Sequence, residues 1–246
     1  MSQDLVTLLQ QHRSIRKFTN EPVPQARLEA YIQAGQAAAT SSFIQATTVI
    51  QVNNADTRSH LAELAGGQVY VEEAPVFLVF CADMRRHQLV CEMHDADMHS
   101  GFTEQLLTAT IDVALFAQNV VACAESDGLG ICYIGGIRNK PAEVSEALDL
   151  PHLVYPVFGL CLGYPDQNPE VKPRLPLSVV LKQDRYDESG DLERITAYDS
   201  HVAQYYATRT GGQKDMTWSE QISGMLRKEA RPHIQGFLQS RGFLLR

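Results

Sequence analysis

Two short basic segments of the chain carry residue types that bind phosphate. Residues 12–18 read H-R-S-I-R-K-F, which places four potential cations and one hydroxyl close together. Residues 172–174 read K-P-R, where a rigid proline spaces two cations so that both can converge on one anion. Forked guanidinium donors and hydroxyls suit phosphate oxygens, so both segments are candidates for holding a phosphate-bearing ligand. The alternatives are a solvated helix end for the first segment and an ordinary loop for the second.

A third segment offers backbone donors instead of side chains. Residues 133–136 read Y-I-G-G, and the two glycines allow a planar ligand to approach backbone N–H groups. The stretch does not fit a dinucleotide-binding fingerprint, because the third position required after Gly128 and Gly130 holds Tyr133. The sequence also has no Walker A, H-E-x-x-H or G-x-S-x-G motif. A nicotinamide nucleotide, if one binds, is therefore not held by a Rossmann fold.

One polar cluster between residues 87 and 99 contains residue types that bind metals. Its spacing matches no standard structural zinc site, so a polar surface loop explains it more simply than a metal centre. The five cysteines of the chain include no C-x-x-C pair, so the sequence predicts neither a disulfide framework nor a zinc ribbon. We expect no resident metal. The cluster comprises His87, Cys91, His94, Asp95, Asp97 and His99.

Composition excludes several classes of protein. The chain has 246 residues, 44% of them hydrophobic and 20% charged, which is typical of a globular protein and not of a disordered one. Its net charge of −8 argues against binding nucleic acid by general attraction. Its best apolar stretch, residues 109–124, is interrupted by polar side chains, and its first residues lack the features of a signal peptide. We therefore expect a cytoplasmic protein without membrane or nucleic-acid partners.

Charge is unevenly distributed along the chain. Residues 55–130 carry 12 acidic and 3 basic side chains, whereas residues 201–246 carry 3 acidic and 7 basic ones. Solvated protein faces explain this pattern in the simplest way. The alternative is that the basic C-terminal region helps to hold an anionic ligand.

Hydrophobic patterning predicts mixed helices and strands. Short apolar or β-branched runs predict strands at Thr47–Val52, Ala74–Cys81 and Pro156–Gly163, the last two buried on both faces. Helical spacing predicts a helix over Leu28–Ala39 and a long one over Thr103–Asp127, which Gly128 closes. The apolar stripe of the long helix is wide, so we expect that helix to be largely buried.

The C-terminal part of the chain predicts further helices. Helical stretches lie near 195–209, 217–229 and 232–241, with Pro232 at a plausible first-turn position. The sequence shows neither an internal repeat nor a low-complexity linker. It therefore predicts a single α+β domain over residues 1–246, whose residues from about 195 onward form a helical extension.

The order of these segments resembles a known family. Over nearly the whole chain, the sequence is similar to the oxygen-insensitive NADPH nitroreductases of the major bacterial type and to the NADPH–flavin reductases of the same family. The segments that carry the resemblance, in order, are H-R-S-I-R-K-F at 12–18, S-S-F-I-Q at 41–45, G-G-Q at 66–68, Y-I-G-G at 133–136, K-P-R-L-P at 172–176, and Thr208-Arg209 before Trp218-Ser219. The resemblance implies a nitroreductase-like α+β fold, with a mainly antiparallel central sheet flanked by helices.

The resemblance further implies a homodimer with FMN at the subunit interface. Arg16 would approach the pyrimidine edge of the flavin, and Gln68 would read its polar edge. Ser41 or Ser42 would contact the cofactor or substrate, across the dimer, and backbone N–H groups of residues 134–136 would lie near the flavin N5. The implied FMN-binding set is His12, Arg13, Ser14, Arg16, Ser41, Ser42, Gln68, Tyr133, Ile134, Gly135, Gly136, Lys172 and Arg174.

The resemblance also implies a reaction. Hydride transfer from NADPH to FMN leaves negative charge on the N1/O2 edge of the flavin, and a fixed cation such as Arg16 stabilises it. A second substrate then takes two electrons at the same face, in a ping-pong mechanism that needs no protein nucleophile. Nitroaromatics, quinones and free flavins are the implied acceptors. Arg209 and Lys214 are the implied contacts to NADPH, with Arg209 at its 2′-phosphate.

Two departures from the family pattern leave alternatives open. The loop after Arg209 reads T-G-G-Q-K-D, so Asp215 opposes Lys214 where the family tends to carry several basic residues. This leaves open whether the preference for NADPH over NADH is strict. Residues 91–102 form a segment that is a few residues longer than is usual for the family, and it has no assigned function. The alternatives are a flavin reductase that supplies reduced FMN to a partner, a flavin-binding protein without reductase activity, and a metal-binding regulator built on residues 87–99.

Overall fold

The computed structural model describes residues 4–210 and 216–246. The chain divides into a core unit, residues 1–169 with 231–246, and a second unit, residues 170–230. The single domain over residues 1–246 stays a prediction. In chain order the elements are α1 (Leu5–Gln10), α2 (Gln25–Gln36), β1 (Thr47–Gln51), α3 (Ala55–Leu64), α4 (Tyr70–Glu73), β2 (Val76–Asp83), α5 (Arg85–Glu92), α6 (Thr103–Ser126), β3 (Gly130–Ile134), α7 (Pro141–Ala147), β4 (Val154–Gly163), α8 (Leu177–Val180), α9 (Asp191–Thr210), α10 (Trp218–Leu226) and α11 (Ile234–Ser240).

The core unit is built on an antiparallel sheet, so the predicted α+β class is confirmed. Among the described residues the sheet has four strands in the order β1-β2-β4-β3. Val49 pairs with Phe80, and Phe77 pairs with Cys161, which places β2 and β4 in the centre. All eight residues of β2 are buried, as its continuous apolar run predicts for a strand covered on both faces.

The two faces of the sheet are covered by different helices. Side chains alternate along a strand, so Leu78 and Phe80 of β2 join the core cluster that includes residues of α2 and α6. Phe77 and Val79 join the opposite cluster, which includes residues of α3 and α7. The sheet therefore lies between two layers of helices, one on each face.

Helix α6 is the long helix that the sequence predicts, and it ends as expected. Gly128 follows it with a φ of 81°, and Leu129 N–H donates to the carbonyl of Ala124 at 3.0 Å, which closes the last turn. By length and composition alone α6 is also long and apolar enough to cross a membrane. Val113 and Val120 are fully buried against the sheet cluster, as in the core helix of a globular protein.

The expected burial of α6 holds for one face and is wrong for the other. Leu107, Ile111 and Leu115 are 49%, 55% and 45% exposed. These positions are four residues apart, so they form one stripe along the helix on the side away from the sheet. We call Leu107, Ile111 and Leu115 the α6 stripe. A wide apolar pattern shows that a helix has a large apolar surface. It does not show which part of the protein covers that surface.

Other boundaries shift by a few residues. Helix α2 begins at Gln25, directly after Pro24, and ends at Gln36 instead of Ala39. Pro24 explains the early start, because a proline fits well just before the first turn. The three C-terminal helices are present as α9, α10 and α11. Pro232 lies two residues before the start of α11 at Ile234, so its predicted place in the first turn is wrong.

Candidate functional site

The basic segment 12–18 lies along the edge strand β3. Ser14 forms a parallel bridge with Ile131, and Ile15 N–H donates to the carbonyl of Ile131 at 2.8 Å. Ile15 is buried and packs on Gly130, where a Cβ atom would approach Ile15 Cγ1 to 2.4 Å. The backbone and one apolar side chain therefore anchor this segment, while exposed Arg16 is available for a ligand.

His12 is held by a buried carboxylate of α6. Its Nδ1 lies 2.6 Å from Oε1 of Glu125, whose side chain is only 10% exposed. Glu125 also lines a cleft of about 580 Å³ that contains Arg13 and residues 165–168. Of the predicted phosphate-binding residues, His12 thus contacts the Glu125 carboxylate, and Arg13 lines the same cleft. The sequence offers no signal for Glu125.

Arg16 and Gln68 converge on Tyr70, although they are distant in sequence. The guanidinium carbon of Arg16 lies 5.9 Å from the centre of the Tyr70 ring, in cation–π geometry. Tyr70 Oη donates to Oε1 of Gln68 at 2.5 Å, and Gln68 Nε2 donates to the carbonyl of Ala65 at 2.7 Å. Burial raises the pKa of Tyr70, so its hydroxyl stays protonated and keeps donating.

Gly136 completes this arrangement from the end of β3. A Cβ atom there would lie 2.3 Å from the carbonyl oxygen of Ala65 and 2.5 Å from Gln68 Nε2. Only glycine allows the glycine-rich turn to approach the Gln68 amide so closely. We call Arg16, Ala65, Gln68, Tyr70 and Gly136 the Tyr70 patch.

Hydrogen bonds from two arginines hold the turn that contains Gly135 and Gly136. Arg138 Nη1 donates to the carbonyl of Val157 at 2.5 Å. Arg231 Nη2 donates to the carbonyl of Gly135 at 3.3 Å, and its Nε donates to Asn139 Oδ1 at 3.1 Å. Arg231 itself has a φ of 58°, a conformation that non-glycine residues adopt mainly where surrounding contacts impose it. The sequence offers no signal for this contact.

Tyr133 and Ile134, next to this turn, have opposite environments. Ile134 is fully buried, whereas Tyr133 is 36% exposed and packs edge-on against Phe158 with ring centres 5.0 Å apart. Burial raises the pKa of Tyr133 to about 12, so it is a neutral side chain at physiological pH. Of the two, Tyr133 therefore has the side chain that can contact a ligand.

Ser41 and Ser42 lie on an exposed loop whose ends are held by Asp112. This carboxylate, 1% exposed within α6, accepts hydrogen bonds from the backbone N–H groups of Ser41 and Ala46, each at 3.2 Å. Ser42 and Phe43 have positive φ values of 50° and 58°, and Phe43 is 81% exposed. The loop therefore presents both serines and an unburied aromatic ring to the surroundings. A lone acidic residue in an apolar helix is the sequence signal that could have identified Asp112.

The second unit carries the other predicted basic residues. Lys172 Nζ lies 5.7 Å from the centre of the Tyr206 ring, and Arg174 Nη1 donates to the carbonyl of Lys172 at 3.1 Å. Arg209, in the last turn of α9, donates through Nη1 to the hydroxyl of Tyr205 at 2.9 Å. Lys214 lies outside the described residues.

The cluster at residues 87–99 has a structural role in part. His87 Nε2 lies 2.5 Å from the carbonyl oxygen of Ile44, so it supports the loop that carries Ser41 and Ser42. Within the described ranges 4–210 and 216–246, no group of three or more His, Cys, Asp or Glu side chains could hold a metal ion.

Comparisons with known proteins identify the family. Residues 9–164 match the model of the Nitroreductase family, and residues 172–246 match the model of the Nitroreductase family, C-terminal domain. The chain is 46% identical over 246 residues to an NADPH-flavin oxidoreductase of Vibrio harveyi, covering 100% of both proteins. It is 44% identical to an oxygen-insensitive NADPH nitroreductase of Salmonella typhimurium, covering 98% of both.

A solved structure shows the same fold. The NADPH:FMN oxidoreductase from Vibrio harveyi, solved in complex with NAD⁺, superposes with a TM-score of 0.91 at 43% identity, covering 98% of this chain and 99% of that one. The order of motifs, the antiparallel sheet and these matches agree, and the resemblance inferred from the sequence is confirmed. The chain belongs to the nitroreductase family.

Proposed function

We propose that this protein is an FMN-dependent oxidoreductase that moves two electrons from NADPH to flat electron acceptors. The observation that carries the proposal is the Tyr70 patch, which joins Arg16 and Gln68 beside the glycine-rich turn. The names of the relatives, an NADPH-flavin oxidoreductase and an NADPH nitroreductase, support it. The non-catalytic flavin-binding alternative has no specific observation in its favour.

The donor set of the core unit fits FMN. Exposed Arg16 supplies a planar cation, Gln68 an amide, and the turn at Gly136 a backbone surface without side chains. These groups suit the carbonyl-bearing edge of a flavin, while His12, Arg13 and Ser14 suit its phosphate and ribityl end. Bound FMN would supply the redox chemistry, and the protein would supply position and charge. Lys172 and Arg174 of the second unit are proposed phosphate contacts.

Arg209 is the proposed contact to the 2′-phosphate of NADPH. The Tyr205 hydroxyl and ring hold its guanidinium, which reduces the freedom that a bound phosphate would otherwise have to restrict. An arginine can form two parallel hydrogen bonds with a phosphate group. NADH has no 2′-phosphate, so it provides an internal control for this contact.

Arg209→Ala is expected to raise the KM for NADPH far more than the KM for NADH. Loss of a hydrogen bond between charged groups costs roughly 2–3 kcal/mol, which corresponds to a rise of about 30- to 150-fold. Steady-state kinetics with both nucleotides measure the difference. Arg194→Ala, on the same helix, is the control and is expected to change neither KM. An equal rise for both nucleotides in Arg209→Ala would contradict the assignment.

A homodimer with FMN at the subunit interface is part of the proposal. The α6 stripe presents three large apolar side chains, each about half exposed, along one helix face. Contiguous apolar surface of this kind is typical of an interface between proteins. A partner at this face would also lie near Asp112, which is next to Ile111 in the middle of α6 and holds the Ser41 loop. Contact of Ser41 or Ser42 with the flavin of the partner is proposed on that basis.

Ile111→Glu is expected to disrupt the dimer. It places a charge in the middle of the α6 stripe, where burial without a partner would be costly. Light scattering coupled to size-exclusion chromatography measures the mass of the variant, and absorbance in the visible flavin band measures its FMN content. Ala30→Glu, on the exposed face of α2, is the matched control. An Ile111→Glu protein that stays dimeric with FMN bound would place the interface elsewhere.

The proposed acceptors are nitroaromatics, quinones and related flat molecules. A second candidate role, reduction of free FMN for a partner enzyme, is favoured by two relatives named NADPH-flavin oxidoreductase and FMN reductase (NADPH). Both roles use the same reductive half-reaction. Turnover with free FMN compared with turnover with a nitroaromatic and a quinone separates them. A cytoplasmic location is proposed, since NADPH is the intended donor.

Anaerobic titration of the purified protein with NADPH, followed by NADH, tests the proposed function directly. Bleaching of the visible flavin band by low NADPH would support the cofactor, the reductive half-reaction and the nucleotide preference together. Equal bleaching by both nucleotides would indicate dual specificity and remove the role of Arg209. A yellow protein that neither nucleotide bleaches would favour a flavin-binding protein without reductase activity. A protein that cannot take up FMN would contradict the proposal.

A further inference from the structure

Glu125 makes an unusual contact for a residue beside the proposed phosphate contact His12. It lies in the last turn of α6, and its Oε1 is 2.6 Å from Nδ1 of His12, 113 residues away in sequence. Its side chain is nine-tenths buried. The second oxygen, Oε2, is buried and has no hydrogen-bond partner among the residues that the structure describes.

This pair fixes which edge of the His12 ring is available. A carboxylate only accepts hydrogen bonds, so the proton between the two side chains belongs to Nδ1 of His12. In the described parts of the chain, Nε2 of His12 has no hydrogen-bond partner, and the side chain is 28% exposed. The imidazole is therefore held by one nitrogen and offers the other to a ligand. Carboxylates orient metal-binding histidines in the same way.

Folding alone gives little reason to keep Glu125. A buried carboxylate with one partner and one unsatisfied oxygen loses hydration that a single hydrogen bond only partly replaces. Arg13 and Asp166 line the same cleft as Glu125, and Glu125 helps to raise the pKa of Tyr133. None of these three groups supplies the missing partner of Oε2. A buried polar group with an unsatisfied oxygen is expected mainly at functional sites.

We propose that Glu125 is a positioning residue of the FMN phosphate subsite, acting through His12. The inference rests on the proposed function. Glu125 holds the imidazole so that Nε2 faces the phosphate or ribityl end of FMN, while Ser14 and Ile15 hold the adjoining backbone on Ile131. The negative charge of Glu125 is thereby separated from the phosphate by the ring that it orients.

The sign of the effect on FMN binding distinguishes this role from simple electrostatics. If Glu125 acted only as a negative charge near a phosphate, its removal would strengthen FMN binding. If it orients His12, its removal weakens FMN binding. Riboflavin lacks the phosphate, so it reports on the rest of the site. A merely structural residue would affect both flavins and would lower the melting temperature of the apoprotein.

The experiment measures the Kd of FMN and of riboflavin for apoprotein by quenching of flavin fluorescence, together with the apoprotein Tm. Glu125→Leu removes both the charge and the acceptor, and is expected to raise the Kd of FMN roughly tenfold or more while riboflavin changes little. Glu125→Gln keeps an acceptor for Nδ1–H and is expected to cause a smaller rise. If Glu125→Leu does not fold, Glu125→Gln still tests the proposal. The Tm of either variant is expected to be unchanged or higher.

Glu104→Gln, on the same helix but exposed, makes the same change in net charge and is the matched control. It is expected to bind both flavins as the wild type does. An unchanged or lower Kd of FMN in the Glu125 variants would overturn the positioning role, as would an equal rise for both flavins with a lower Tm. Failure of the wild-type protein to bind FMN would instead overturn the proposed function itself.

Discussion

Replacing Arg16 by alanine is expected to weaken FMN binding and to slow reduction of the bound flavin by NADPH. Arg16 presents a planar cation on the Tyr70 ring, beside the Gln68 amide. Bound FMN would accept the two electrons and gain negative charge, and Arg16 would supply a fixed cation that stabilises this charge. Loss of an interaction with a charged group costs about 1.5–3 kcal/mol, so the rate constant for flavin reduction should fall roughly 10- to 150-fold.

Stopped-flow reduction by NADPH measures this rate constant, and equilibration with reference dyes measures the flavin potential, which is expected to become more negative. Arg16→Lys keeps the charge but not the planar guanidinium over the Tyr70 ring, so an intermediate effect is expected. Arg27→Ala removes a surface arginine whose side chain is 62% exposed and is the control for a general loss of positive charge. Reduction kinetics of Arg16→Ala equal to those of wild type would remove the assigned role.

Replacing Gly136 by alanine is expected to damage the site and the fold together. The added Cβ would lie 2.3 Å from the carbonyl oxygen of Ala65 and 2.5 Å from Gln68 Nε2. The obstacle includes a backbone carbonyl, so the turn or helix α3 must move, and the Gln68–Ala65 hydrogen bond is lost. Overpacking of this kind costs about 1–3 kcal/mol in the free energy of unfolding.

Urea denaturation of the apoprotein measures the free energy of unfolding, and flavin fluorescence measures the Kd of FMN, which is expected to rise. Gly135→Ala is the matched control for the free energy of unfolding, because its Cβ would meet only Arg138 Nη2, at 3.5 Å, an ordinary contact. The two variants add the same methyl group to adjacent residues of one turn. Equal free energies of unfolding in both would mean that the close approach at Gly136 has no role in stability.

Much of the core unit could be predicted from local patterns. The three predicted strands correspond to β1, β2 and β4, and the long helix corresponds to α6 within one residue. These predictions succeed because a continuous apolar run or a helical stripe is specified by neighbouring residues. The predicted bounds of α2 and the predicted start of α11 at Pro232 differ from the structure by a few residues. The exact ends of a helix depend on cap geometry and on packing.

The candidate site was predicted unevenly. The resemblance, which the family matches confirm, named Arg16, Gln68 and Gly136, and the structure brings these three together in the Tyr70 patch. Tyr70 and Glu125 were missed. Nothing in the residues next to Glu125 indicates a partner 113 positions away. This contact forms because the C-terminal end of α6 packs against the segment that contains His12. The role of each site residue stays a proposal.

The fold class, strands β1, β2 and β4, the long helix and the family can be inferred from the sequence alone, because they follow from local patterning and from the order of short motifs. Which side chains meet is visible only in the folded chain. The tertiary structure placed Arg16 on Tyr70, His12 on Glu125 and Ser41 on Asp112, and it left one stripe of α6 uncovered. The physical reason is that a hydrogen bond or a packed contact depends on distances of a few ångströms between residues that are far apart in the chain, and these distances are set by the packing of whole elements.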